Sequence, residues 1–563
     1  MSRCALIAIG LLSIGCGSSL RRFPLQEPLW VDPDRTPFEG KPEEYWSPLA
    51  WDGIDKTIFR PISKGLAVST SGESVNVNAL DEVPDSSWFE NRLGKQPLGR
   101  ADFFDGPCKG KKPLAADEPW TVVNAKPDGA NPGFMIKAAD GRKYLVKFET
   151  NQLERASSGD VVGTRLYWAA GFHTPCNQIV YMKPSILKID PKAKVSEEDG
   201  SKVPLAQRHI DKIFRVAAKL DDGTYRANAS LLFDGEPLGP FRYHDTRDDD
   251  PNDVVAHEDR RELRGSRVLA AWMNHHDARE QNSLDLWIET GKGRGYVQHA
   301  LLDWGDTFGG LWDWDALSRR IGFAYYLDFE DVALDFLSLG IPRRAWDKVH
   351  FGAAGEVLGY FESELFDPED WHVGYPNPAF SRMTERDAAW MTRIVARFDD
   401  EAVDAMIDAA QIKNPVTDRE LRRIFKARRD KILRRWLGRL SPLTRPWLEP
   451  SDPPRLCLED LIATAHLAAT AARRYEARAF VGDDLAPTSL GATTSGGPST
   501  TCVALPKIAG ATKATPKYLV VDLIATGGGF DRRAPARVHL YALGSELRVV
   551  GLERPSDDEP PKP

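Results

Sequence analysis

Between Trp120 and Glu149 apolar and polar residues alternate in three short runs, and the period of two predicts three strands. Trp120–Lys126 is the first, Phe134–Ala138 the second, and Arg142–Glu149 the third, with Asp140-Gly141 turning the chain between the last two. Val161, Val162, Leu166, Tyr167 and Ala170 then recur at helical spacing, so Gly159–Ala170 reads as a helix with Ser157–Asp160 as its capping region. Gly171–Tyr181, Lys212–Leu220 and Tyr225–Leu232 read as further strands, and the charged Lys188–Lys202 as a surface loop. A hinge falls near Leu232–Pro240. Beyond it the pattern is mainly helical: Glu258–Met273, Ala333–Leu339, a helix capped by Thr384 with Asp387 and carrying the stripe Trp390, Met391, Ile394, Val395, Phe398, then Ala402–Ala410 and Asp418–Arg439. Two strand-like runs, Ser283–Glu289 and Gly295–Leu302, interrupt it.

The pattern predicts an α+β chain with a small antiparallel sheet lobe (118–240) and a mainly helical lobe (241–440). An N-terminal arm (17–117), rich in Pro, Asp and Trp, is expected to pack on this core through Trp88 and Phe89. Ser441–Arg455, with five prolines, reads as a linker. A β-rich unit (456–556) follows, with a strand at Lys517–Thr526 and a hairpin of Arg537–Leu543 and Glu546–Leu552, and Asp557–Pro563 reads as a disordered tail.

Composition changes this picture at one end. In MSRCALIAIGLLSIGCGSS a single Arg3 precedes an apolar run from Cys4 to Ile14, too short for a permanent membrane span but suited to an export signal. The run ends in Ser13-Ile14-Gly15-Cys16, which resembles the bacterial lipobox and implies a lipid on Cys16, with residues 1–16 as signal peptide. The expected location is the cell envelope, tethered to a bacterial membrane, with plain secretion as the alternative. Once Cys4 leaves and Cys16 is lipidated, Cys108, Cys176, Cys457 and Cys502 remain. Export permits disulfides among them, Cys457–Cys502 foremost, while buried thiols are the other reading. A net charge of −8 disfavours nucleic acid as a partner.

The chemistry is concentrated around His275-His276-Asp277-(x4)-Asn282 and Asp303-Trp304-Gly305. Phosphoryl transfer needs a carboxylate to receive or orient the acceptor's hydroxyl proton, and an Asn and a later Asp to hold a divalent cation against nucleotide phosphates. Asp277, with His275 beside it, fits the first role, and Asn282 and Asp303 fit the second. Upstream, Lys147 ends a strand where its amine can reach phosphates. Gly129 and Gly133 lie in a loop that can cover phosphates with backbone amides, although an ordinary hairpin loop is the alternative. An acid on the following helix is expected to hold the Lys, with Asp160 the candidate and Glu154 second. A helix-dipole role for Asp160 is equally open. His257-Glu258 lacks the second His of a zincin, the acidic 242–253 segment lacks an EF-hand pattern, and Gly527-Gly528-Gly529 leads into no helix. The basic face of Asp418–Arg439 suits either solvent or an anionic partner.

The ordered set Lys147, Asp160, Asp277, Asn282, Asp303 resembles the atypical kinase-like superfamily, which includes HipA-type and phosphatidylinositol kinases. Asp277-Ala-Arg-Glu-Gln-Asn282-Ser is most similar to the HipA-type catalytic loop, and the chain as a whole to uncharacterised bacterial lipoproteins. The resemblance spans about residues 118–440. It implies a two-lobed kinase-like fold, ATP with Mg²⁺ or Mn²⁺ as cofactors, and an unnamed protein or small-molecule acceptor. It also implies Lys147 on the phosphates, Asp277 as base, and Asn282 and Asp303 as metal ligands. The alternative is an inactive kinase-like lipoprotein that serves as a binding module.

Overall fold

In the computed structural model the described residues are 20–46, 53–66, 72–126, 131–150, 152–196, 201–310, 315–341, 343–490 and 493–562. They fall into two compact units, one of residues 29–440 with 461–467, the other of residues up to 28, 441–460 and from 468 onward. The larger unit holds every candidate catalytic residue within the described range. No described helix is long and apolar enough to cross a membrane. Cys16 and Gly129 lie outside the described residues.

After a two-residue strand, β1 (Phe38–Glu39), and the short helix α1 (Arg100–Asp105), the alternating runs form the expected strands β2 (Trp120–Lys126), β3 (Gly133–Lys137) and β4 (Lys143–Phe148). Trp120, Val122, Phe134, Ile136, Tyr144, Val146 and Phe148 are all buried, so one face of these strands is core. Helix α2 (Ala156–Ala170) follows, then β5 (Cys176–Met182), β6 (Leu187–Ser196), β7 (Lys202–Pro204), helix α3 (Gln207–Val216) and β8 (Tyr225–Leu231). The strand order is β5-β8-β4-β3-β2-β6-β7. The sheet is antiparallel except where β2 and β6 run parallel.

Three expectations for this lobe are corrected. The described part of Lys188–Lys202 is strand and not loop: Ala193 and Val195 are buried while Lys192 and Lys194 are exposed, which suits a strand pair at the sheet edge. Lys212–Leu220 is not a strand. Ile210 and Ile213 are buried and Phe214 packs on Phe148 with ring centroids 5.2 Å apart, the spacing of a helix face concealed in a β-branched run. The Ser157–Asp160 run lies inside α2, and its cap comes from Glu149 instead, whose carboxylate accepts from Ser157 N at 3.1 Å and Glu154 N at 2.7 Å. Gly171, at φ 131°, ends the helix, so β5 starts only at Cys176.

Downstream come a short strand β9 (Glu236–Gly239), helix α4 (Arg261–Met273), the hairpin β10 (Ser283–Gly291) and β11 (Arg294–Leu301), then helices α5 (Asp315–Arg320), α6 (Phe329–Ser338), α7 (Glu385–Val395), α8 (Asp400–Asp408) and α9 (Pro415–Leu437). Thr384 caps α7 as expected, accepting from Asp387 N. The second sheet runs β1-β11-β10-β9. Trp88 from the N-terminal segment stacks on His299 of β11 at 3.5 Å, and Phe89 is fully buried. Arg423 and Arg434 of α9 are exposed, but other basic side chains of this helix are paired within the fold. Arg422 meets Asp404, Asp408 and Asp418, Arg435 meets Glu369 and Glu385, and the buried Arg428 donates to the carbonyls of Trp272 and Ala271 at the end of α4.

In the smaller unit β12 (Leu443–Glu449) pairs with β13 (Arg455–Asp460), so the Pro-rich segment carries a strand. A five-stranded sheet includes Lys517–Thr526, Ala536–Ala542 and Leu547–Glu553, close to the bounds expected. The described part of the tail is tied down: Arg533 Nε donates to Asp558 at 2.8 Å and Arg537 Nη2 to Glu559 O at 2.7 Å.

Among the described residues the four cysteines are bridged, Cys108 to Cys176 and Cys457 to Cys502. The first bridge fixes the segment after α1 to the start of β5, across 68 residues of chain. A Cys108→Ala/Cys176→Ala variant is expected to lose about 2–4 kcal/mol through the freed unfolded chain, read as a lower denaturation midpoint that reductant no longer changes for this bridge.

Candidate functional site

Lys147 sits on β4 opposite Gly133 of β3 and Asn228 of β8. A Cβ on Gly133 would overlap the Val146 carbonyl, so this position needs glycine for β3 to approach β4. Lys147 Nζ lies 2.8 Å from Asp303 Oδ1 and 3.9 Å from Asp160 Oδ2. Burial works against the ammonium charge, but the two carboxylates outweigh it and the amine's pKa is raised, so Lys147 is a held cation.

Asp160, in the second turn of α2, is the acid that meets Lys147. It does not act at the helix terminus. Its Oδ1 accepts from Trp304 N at 2.8 Å and its Oδ2 from Asn228 Nδ2 at 2.8 Å. Burial pushes its carboxyl upward, Lys147 opposes that and Asp303 adds to it. Glu154 points elsewhere, accepting from Lys413 N and Asn414 N. The Asp303-Trp304 turn is thus pinned on α2. Trp304 is buried against it, and a Cβ on Gly163 would overlap the indole, while one on Gly159 would lie 2.6 Å from Trp304 O. Asp303 itself is left-handed at φ 62°, a backbone strain that functional turns retain when packing over-determines it.

Helix α4 leads into the loop that carries Asp277 and Asn282. It ends at Asn274, left-handed at φ 57°, whose side chain donates to Phe308 O and accepts from Trp371 Nε1, both at 2.8 Å. Asn282 Nδ2 donates to Asp277 O at 2.7 Å and Asp277 Oδ2 at 2.9 Å, and Arg279 Nε lies 2.8 Å from Asp277 Oδ1. The hairpin then closes the loop: Ser283 pairs with Leu301, and Leu302 N donates to Asn282 O at 3.0 Å, bringing Asn282 alongside Asp303. Burial pushes the Asp277 carboxyl up to about 6, with Arg279 opposing and Asp306 reinforcing. That is suited to a group that takes a proton near neutral pH.

His275 has a different place from the one its motif position suggests. Its ring is buried between Tyr167 and Trp304, with centroids 6.4 Å from each. Burial, with His276 adding to it, holds its pKa down to about 3, so it is a neutral packing group at physiological pH. Its ring packs beneath the loop.

The donor set fits a hard divalent cation. Asn282 spends its amide nitrogen on Asp277, which leaves its carbonyl oxygen as the group to offer, and the Asp303 side chain keeps 39% of its surface exposed beside Lys147. Asp306 adds further negative charge near both Lys147 and Asp277. Carboxylate and amide oxygens suit Mg²⁺ or Mn²⁺.

Several contributors escaped the sequence reading. Asn228 steadies Asp160, and only the β4–β8 register reveals it. Arg226 is fully buried and joins three elements, with Nε on Ser157 Oγ at 2.9 Å, Nη2 on Ala410 O at 2.6 Å and Nη1 on Tyr181 OH at 2.8 Å. Arg279 had a signal, since it lies two residues past Asp277, but its pairing shows only in space.

No family model matches the chain, and no curated relative matches it. Among solved structures it is similar to a Helicobacter pylori proinflammatory kinase, CtkA, at 13% identity and TM-score 0.30, over 57% of this chain and 98% of that one. It is also similar to the Golgi casein kinase, at 12% identity and TM-score 0.23, over 50% and 74%, and to hydra Fam20 with sugar, at 12% and 0.23, over 57% and 97%. The likeness is remote and partial, and the functional reading rests on this chain's own side chains: a mixed α+β fold, two-lobed at a coarse level, with a lysine, four carboxylates and an asparagine drawn together from distant parts of the sequence.

Proposed function

We propose that this chain is an exported, lipid-anchored phosphotransferase that uses ATP with Mg²⁺ or Mn²⁺ and acts on a hydroxyl-bearing protein or small molecule. The observation that carries it is the Lys147–Asp303 contact at 2.8 Å with Asp160 beside it, next to an Asp277–Asn282 pair held at 2.9 Å. Lys147 would hold phosphate oxygens, Asp160 keeps Lys147 and the Asp303 turn in register, and Asn282 and Asp303 would hold the cation. Asp277 receives or orients the proton of the acceptor hydroxyl, with Arg279 and Asn282 fixing its carboxylate. The bound cation supplies charge neutralisation at the phosphates. Positioning and electrostatics do the rest, since phosphoryl transfer asks for little covalent chemistry from the protein.

Purified residues 17–563 are expected to show an ATP-dependent thermal shift only with Mg²⁺ or Mn²⁺. Asp277→Asn should keep that shift and lower turnover by about 10²–10⁴-fold. A chain that binds no ATP with either metal is a binding module instead. The pH profile offers an independent check. Asp277 must be ionised to accept a proton, so turnover should hold above about 6 and fall about tenfold per unit below it, with the acid limb absent in Asp277→Asn.

A further inference from the structure

Helix α6 leaves most of its apolar side chains in solvent. One side of it carries Asp331 and Asp335, which Arg344 meets at 2.9 Å and 2.5 Å, with Arg320 3.9 Å from Asp331. Its apolar side faces outward and continues into the next turn. Phe336 is 81% exposed, Leu337 79%, Leu339 86% and Ile341 80%. Contiguous apolar surface of this kind marks an interaction site, because leaving it in water forgoes roughly 25 cal/mol for each Å². Arg343 and Lys348, both exposed, follow in the sequence.

We propose that α6 and the turn after it dock on the surface of an anionic phospholipid bilayer. An apolar face flanked by basic residues is the chemistry of an interfacial helix, with the side chains entering the acyl boundary and the cations meeting headgroup phosphates. The Cys16 lipid proposed above would hold the chain at such a surface, but the docking contact is separate from it. The segment before α6 is also tied to the candidate site. Tyr326, just before α6, donates its N–H to Gly374 O at 2.8 Å, and Gly374 N donates to His276 O at 2.7 Å in the catalytic loop.

The test uses residues 17–563, which lack the lipidated cysteine and contain every described contact. The chain should sediment with vesicles of phosphatidylglycerol and phosphatidylethanolamine, and less with phosphatidylcholine alone. Phe336→Ser/Leu337→Ser/Leu339→Ser should weaken that binding by at least about tenfold. Arg343→Glu/Lys348→Glu should remove the preference for anionic vesicles. Both variants should keep the metal-dependent ATP shift of the parent, which separates this proposal from the phosphotransferase reading. No vesicle binding by the parent, or unchanged binding by the triple variant, overturns it. So does a dimer that the triple variant disperses without any vesicle binding, which would assign the face to a second copy of the chain.

Discussion

Asp303→Asn should abolish metal-dependent ATP binding while leaving the chain folded. The amide keeps the size and left-handed preference of the aspartate at φ 62°, and Asp160 remains 3.9 Å from Lys147 to balance its charge. What is lost is the anionic oxygen that Lys147 meets at 2.8 Å and that a divalent cation requires. With ATP at a hundred times its dissociation constant, the parent gains about 2.7 kcal/mol of stability from the ligand, and Asp303→Asn should gain none. Thermal denaturation with and without ATP and metal reads this directly. A normal ligand shift in the variant would remove Asp303 from the cation site.

Arg226→Met should cost about 3–5 kcal/mol, the largest stability effect expected of a single side chain here. Arg226 is 1% exposed and lies 3.6 Å from Glu149, itself 2% exposed. It also satisfies Ala410 O, Gln411 O and the hydroxyls of Ser157 and Ser158. Removing it leaves a buried carboxylate whose pKa burial already raises, and frees the sheet from α2 and from the end of α8. A second substitution, Glu149→Gln, should restore part of the loss because the uncompensated charge goes with it. Denaturant midpoints of the two single variants and the double variant complete the cycle. If the double variant is the sum of the singles, the pair is not coupled as described.

The strands around Lys147 were legible because their signal is local. Alternation in Trp120–Lys126 and Tyr144–Phe148 needs no knowledge of the rest of the chain, and the structure places Lys147 at the end of β4 as read. The differences from that reading have physical causes. Ile213-Phe214-Arg215-Val216 has strand propensity, yet burial of Ile210 and Ile213 on one helix face prevails. The cap of α2 was assigned to nearby serines because Glu149, which supplies it, is separated from the helix by a turn. The basic side of α9 looked solvated because its partners, Asp404, Asp408, Glu369 and Glu385, lie on other segments.

What the amino-acid order settled by itself is the set of reactive groups and their spacing: Lys147 after two hairpins, Asp277 five residues before Asn282, and Asp303 at the end of a strand that pairs back to Asn282. Those relations depend on strand period and turn chemistry, which act over a few residues. The tertiary structure alone decided that Asp160 and not Glu154 meets Lys147, that His275 is a buried neutral ring, that Cys108 joins Cys176, and that α6 shows its apolar side outward. Each depends on which surfaces meet across the fold. Side-chain partners remote in sequence are fixed by packing, and packing is a property of the whole chain.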